Sequence, residues 1–226
     1  MKITSLVVVT TLIIASAQGA TGFAQSTRVG AQDWLNMRID NLELEADNMH
    51  LLLLKLSTQQ GIPIGFEVSP DDDLSQTKTL RLQIKGGTLS DVMRSIVEQN
   101  PLYTWKIHDN VVNVFPLEAN RDPLLRNVLE TRLEKFSIAR GTTRFTLRQT
   151  LSAIPEIRTI LNQYGVVPDN QTFMSRDVSP LGRQYGLEAT NVSVSALLNQ
   201  VIRESQTKYW IVMRYGEQRQ YFVLNL

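Results

Sequence analysis

Leu42, Leu44 and Ala46 alternate with Glu43, Glu45 and Asp47, the period of a strand with one buried face. Met49, Leu52, Leu53 and Leu56 then recur at helical spacing, with Asp47 or Asn48 placed to cap the first free N–H groups and Gly61 to close the helix. Ile62, Ile64, Phe66 and Val68 return to alternation. After the turn-forming run Ser69-Pro70-Asp71-Asp72-Asp73, a third strand carries Leu80, Leu82 and Ile84 and ends at Gly86-Gly87. Thr88 and Asp91 stand at the spacing of a capping box before a helix whose buried stripe is Val92, Met93, Ile96 and Val97. Residues 103–107 and 111–115 read as two strands joined by the polar hairpin His108-Asp109-Asn110.

The second half follows the same plan. Asp122-Pro123 is a helix start, leading into a short apolar connector with Leu124, Leu125, Val128 and Leu129. Residues 133–138 predict a strand. Thr146 and Gln149 suggest a capping box for a helix over 147–154, which Pro155 kinks or restarts through Ile157, Ile160 and Leu161. Gly165-Val166 echoes Gly61-Ile62, and residues 169–183 predict a long loop. A strand over 185–189, a helix over 194–204 and strands over 208–214 and 219–224 complete the pattern.

The two halves repeat one another. Residues 82–107 align without a gap on 187–212, at an offset of 105. Leu82 meets Leu187, Ser90 meets Ser195, and Trp105 meets Trp210. Apolar positions coincide almost throughout, which predicts duplication of one structural unit. The expectation is an α+β protein of two tandem βαβ-βαββ domains over residues 25–118 and 133–226, with a helical linker over 119–132. The second domain carries an insertion between its first strand and its helix.

Composition narrows the functional classes. Lys2, the apolar run 6–15 and the small residues Ala15, Ala17, Ala20 and Ala24 have the layout of a signal peptide over residues 1–24. The mature chain is then expected to be exported, in the periplasm or outside the cell. With no cysteine, disulfides, cysteine-ligated zinc and thiol catalysis are excluded. The 23 basic and 22 acidic residues nearly balance, without the excess a nucleic-acid or membrane-surface binder shows. The sign nevertheless changes along the chain: residues 25–120 carry a formal net −5 and residues 121–226 a net +5.

The strand order, together with Leu42-Glu43-Leu44-Glu45-Ala46, Gly61-Ile62-Pro63-Ile64, the run from Leu82 through Gly86-Gly87-Thr88 to Val92, and Tyr103-Thr104-Trp105, resembles the secretin and TonB-receptor short N-terminal (STN) domain. The resemblance covers residues 39–116 closely and 133–226 more loosely. It implies two helices packed between small sheets, and a periplasmic protein-docking role in transport or signalling assemblies. The family supplies no catalytic residues, and no cofactor or metal is implied.

Candidate chemistry is sparse. His50 and His108, the only histidines, lack a framing serine or carboxylate pattern and read as surface or turn residues. Asp71, Asp72 and Asp73 lack the glycine and distal glutamate of a calcium loop. Trp105 and Trp210 read as packing residues more readily than as ligand platforms. The alternatives to protein docking are a small periplasmic hydrolase using carboxylates near Asp71, or a carbohydrate binder using aromatic residues on sheet faces. For a protein partner, the final strand offers Tyr221, Val223 and Asn225 on one side and Phe222, Leu224 and Leu226 on the other. Either that strand lies at a sheet edge and receives another chain's strand, or it is central and completes the core.

Overall fold

The computed structural model describes residues 34–72, 74, 79–169, 186–204, 208–216 and 220–226. The signal peptide expected over 1–24 and nearly all of the loop expected over 169–183 lie outside these residues. Residues 32–226 form one compact unit, and its class is α+β. Its strands are β1 (Arg38–Ile39), β2 (Leu42–Ala46), β3 (Ile64–Glu67), β4 (Leu80–Ile84), β5 (Gly87–Thr88), β6 (Tyr103–His108) and β7 (Val111–Pro116) in the first half. The second half contributes β8 (Arg132–Ile138), β9 (Val167–Pro168), β10 (Leu187–Ser193), β11 (Tyr209–Tyr215) and β12 (Tyr221–Asn225). The helices are α1 (Met49–Gln60), α2 (Leu89–Gln99), α3 (Pro123–Glu130), α4 (Arg144–Ser152), α5 (Pro155–Gln163) and α6 (Val194–Glu204).

Local chemistry sets most boundaries. Asn48 caps α1 by accepting the Leu51 N–H at 3.0 Å, and Gly61 ends the helix with φ +66°, a left-handed turn that favours glycine. Thr88 and Asp91 close the expected capping box on α2. Asp122 accepts the Leu124 N–H at 2.8 Å, with Pro123 at the first helical position of α3. The cap of α4 is Thr143 rather than Thr146: Thr146 sits one turn inside and donates its own N–H to the Thr143 hydroxyl at 3.1 Å. Pro155 restarts the chain as α5 after a break. The lead-in segment also holds more than expected, because Arg38 and Ile39 pair with Thr88 and Gly87.

The topology repeats with the sequence. In the first half β2 pairs antiparallel with β4, while β6, β7 and β3 form a sheet in that order. In the second half β8 pairs antiparallel with β10, while β11, β12 and β9 repeat the same order. These halves are not held by a linker alone. β3 pairs in parallel with β11, fusing the two three-stranded sheets into one of order β6-β7-β3-β11-β12-β9.

Two apolar interiors lie on this sheet, and each borrows from the other half. The first gathers Leu52, Leu53 and Leu56 of α1 and Val92, Met93 and Ile96 of α2 around Ile64 and Phe66, together with Tyr209 and Ile211 of β11. The second gathers the apolar faces of α3, α5 and α6 around Trp210, Val212, Phe222, Leu224 and Leu226, together with Val111 of β7. Successive β11 side chains therefore point into different cores. That accounts for a strand apolar at four consecutive positions, from Tyr209 to Val212, as expected of a strand buried on both faces.

Candidate docking edge

The joint between the halves shows what this sheet does with an adjoining strand. Ile64, Gly65, Phe66 and Glu67 lie beside Tyr209, Trp210, Ile211 and Val212. The Ile64 N–H donates to the Lys208 carbonyl at 2.8 Å, and the Val68 N–H to the Val212 carbonyl at 3.0 Å. Gly65 sits directly against the Trp210 indole, where any Cβ would overlap the ring carbons. Trp210 is 2% exposed, and its indole N–H donates to the Asn199 side chain at 2.9 Å.

Polar contacts lock the joint. Glu67, 2% exposed, receives three hydrogen bonds from the Arg121 guanidinium at 2.8 to 3.1 Å. Burial lifts the Glu67 carboxyl above its ordinary value, against the lowering effect of Arg121. His50 Nδ1 and the Tyr209 hydroxyl are 2.9 Å apart, and burial holds the imidazole below its ordinary value. The Ser57 hydroxyl lies 2.8 Å from the carbonyls of both Ile62 and Lys208. Arg214 pairs with the buried Asp122 at 2.8 Å.

The two ends of the sheet differ. At one end β9 is two residues long. The N–H groups of Val167 and Asp169 point inward to Gln220 and Phe222, leaving outward-facing Pro168, which has no N–H. At the other end β6 runs for six residues and pairs only with β7 among the described residues. Its turn is Asp109-Asn110, both with left-handed φ (53° and 59°), the two-residue type that matches strand twist. With that turn, His108–Val111, Lys106–Asn113 and Thr104–Phe115 are the hydrogen-bonding pairs. Consistent with this register, the Val112 N–H points the other way, to Pro63. The backbone groups of Trp105 and Ile107 therefore face outward from the sheet.

The sequence-selected residues fall as follows. Tyr221, Val223 and Asn225 share a face of β12, but β12 lies between β11 and β9 rather than at the end of the sheet. Val223 is 1% exposed, and Asn225 accepts from Arg148 at 3.3 Å. Phe222, Leu224 and Leu226 face the second core. Asp71 accepts from the Asn120 amide at 3.0 Å and Asp72 from the Tyr103 hydroxyl at 2.7 Å, so both serve to fold the loop; Asp73 lies outside the described residues. Burial raises Tyr103 well above the ordinary phenol value. His108 is in β6, beside a cleft of about 250 Å³ that Glu67, Lys106, Arg121, Asn199 and Trp210 also line. The one carboxylate buried there, Glu67, is taken up by Arg121. Among the described residues, no His, Asp and Glu side chains gather in a group suited to a metal ion. No helix among them is long and apolar enough to cross a membrane.

Gly65 was not visible as a functional position in the sequence. A glycine between two apolar residues in a strand is nevertheless a recognisable sign of close approach by another group. Compared with known proteins, the chain matches no family model, no curated protein and no solved structure.

Proposed function

We propose that this protein is an exported protein-docking module of the cell envelope, and that it takes up an extended segment of a partner at the outer edge of β6. The observation that carries this reading is the asymmetry of the sheet ends: a full-length edge at β6 and a two-residue, proline-bearing one at β9. Strand addition draws affinity from main-chain hydrogen bonds and selectivity from alternate side chains. The signal-peptide layout and the resemblance to STN domains support the envelope setting and a transport or signalling assembly.

The test is capture of partners from envelope extract by three forms of the full chain. Ile107→Pro removes an outward N–H; Ile107→Ala trims the side chain and keeps the N–H. Wild type and Ile107→Ala should retain the same partner, and a folded Ile107→Pro should lose it. Equal capture by all three refutes docking at this edge.

A further inference from the structure

Strand β6 is the first-half counterpart of β11. Both begin the closing hairpin of their repeat, both stand first in a three-stranded order, and Trp105 and Trp210 occupy the same position at an offset of 105. The outward backbone groups also correspond. The carbonyls of Lys208, just before β11, and of Val212 within it receive the N–H groups of Ile64 and Val68; their counterparts in β6 are Tyr103 and Ile107. Trp105 packs on the first core as Trp210 packs on the second. One difference stands out: Trp210 has a strand against it, whereas Trp105 is half-buried at the end of the sheet.

The internal joint thus describes the kind of segment the free edge accepts. We infer that β6 takes a partner strand running parallel to it, with a glycine beside Trp105 and an apolar residue preceding that glycine, as Ile64-Gly65 lies beside β11. This rests on the docking reading above and adds direction, register and a residue requirement. The requirement is steric: at the joint, any side chain in place of Gly65 collides with the indole. The occupant belongs to another protein. Among the described residues β3 is already paired on both sides, and β9 presents a proline outward.

The probe is a fluorescent peptide with the sequence of residues 61–68, Gly-Ile-Pro-Ile-Gly-Phe-Glu-Val, and the same peptide with valine for its second glycine. Binding to the full chain is read by fluorescence anisotropy. The glycine peptide should bind wild type at least about tenfold more tightly than the valine peptide. Trp105→Ala should bring the two to within about threefold by relieving the valine clash. Trp105→Leu serves if the alanine variant does not fold. Ile107→Pro should abolish binding of either peptide.

The outcomes separate the two levels of the argument. Equal affinity of wild type for both peptides, with binding lost in Ile107→Pro, overturns the glycine requirement and leaves edge docking standing. Binding that Ile107→Pro leaves intact places the peptide elsewhere and overturns the inferred occupant, with edge docking again left to the partner-capture comparison. Failure of wild type to bind the glycine peptide overturns the inferred occupant, while the partner-capture comparison still judges docking.

Discussion

Trp105 and Trp210 hold one position in two repeats and live in different surroundings. Trp210 lies in the middle of a six-stranded sheet with Gly65 beneath its ring and Asn199 on its indole nitrogen. Trp105 lies in the last strand of that sheet, with Lys106 and His108 exposed beside it. The counterpart of Lys106 in β11 is Ile211, buried among residues of the first half. A lysine on an edge strand discourages indiscriminate pairing. Two strands at corresponding sequence positions thus end differently: β11 forms the seam of the molecule, and β6, among the described residues, stands at the end of the sheet with Lys106 exposed on it.

The seam can be broken most severely at Arg121. Arg121→Ala strips the partner from a buried carboxylate and should cost about 3 kcal/mol or more, measured by denaturant unfolding. Replacing Glu67 with Gln in the same chain should recover part of that loss. A single Arg121→Ala variant as stable as wild type would show that Glu67 does not hold the joint. Next comes Gly65→Ala, which pushes a methyl group into the Trp210 ring and should cost about 1–3 kcal/mol. Adding Trp210→Leu should reduce that penalty, as a double-mutant cycle would reveal.

A smaller effect is expected from pH. The folded chain holds His50 below its ordinary value, so the unfolded chain takes up a proton that the folded one refuses. Stability contributed by neutral His50 is thus present above the unfolded value and lost as pH falls from there toward the folded value. The difference in melting temperature between wild type and His50→Gln should change sign or shrink over that acidic window. A constant difference from neutral pH to about pH 5 would contradict it. The smallest change in stability, under about 1 kcal/mol, is expected for Pro168→Val, which restores an outward N–H at the blunted end. Its effect should appear instead in sedimentation, as concentration-dependent association absent from wild type. Identical sedimentation of the two would mean that Pro168 is not what guards that end.

Much of the secondary structure was legible, for local reasons. Alternation in Leu42–Ala46 and the caps at Asn48, Thr88 and Asp122 act within a few residues, and the structure reproduces them. The Asp109-Asn110 turn was visible by composition, though His108 belongs to the strand rather than the turn. What could not be read was the seam. Pairing of Gly65 with Trp210 joins residues 145 positions apart, and nothing in either segment names the other. The unbroken apolar run of β11 was the available hint of burial on both faces. The edge question fails for a related reason: Tyr221, Val223 and Asn225 alternate correctly, yet alternation is silent about which strand stands beside which.

The seam also has a consequence in time. Strand β3 is made about 140 residues before β11, so while the chain is being synthesised its Gly65 and Phe66 have no partner on that side. Such distant pairing is slow to form, because a large loop must close before the contact repays it. During that interval the nascent first half offers an apolar ribbon to any neighbouring chain. Temporary protection by a chaperone would therefore matter most between the appearance of Glu67 and that of Tyr209, and yield should fall when synthesis outpaces such protection.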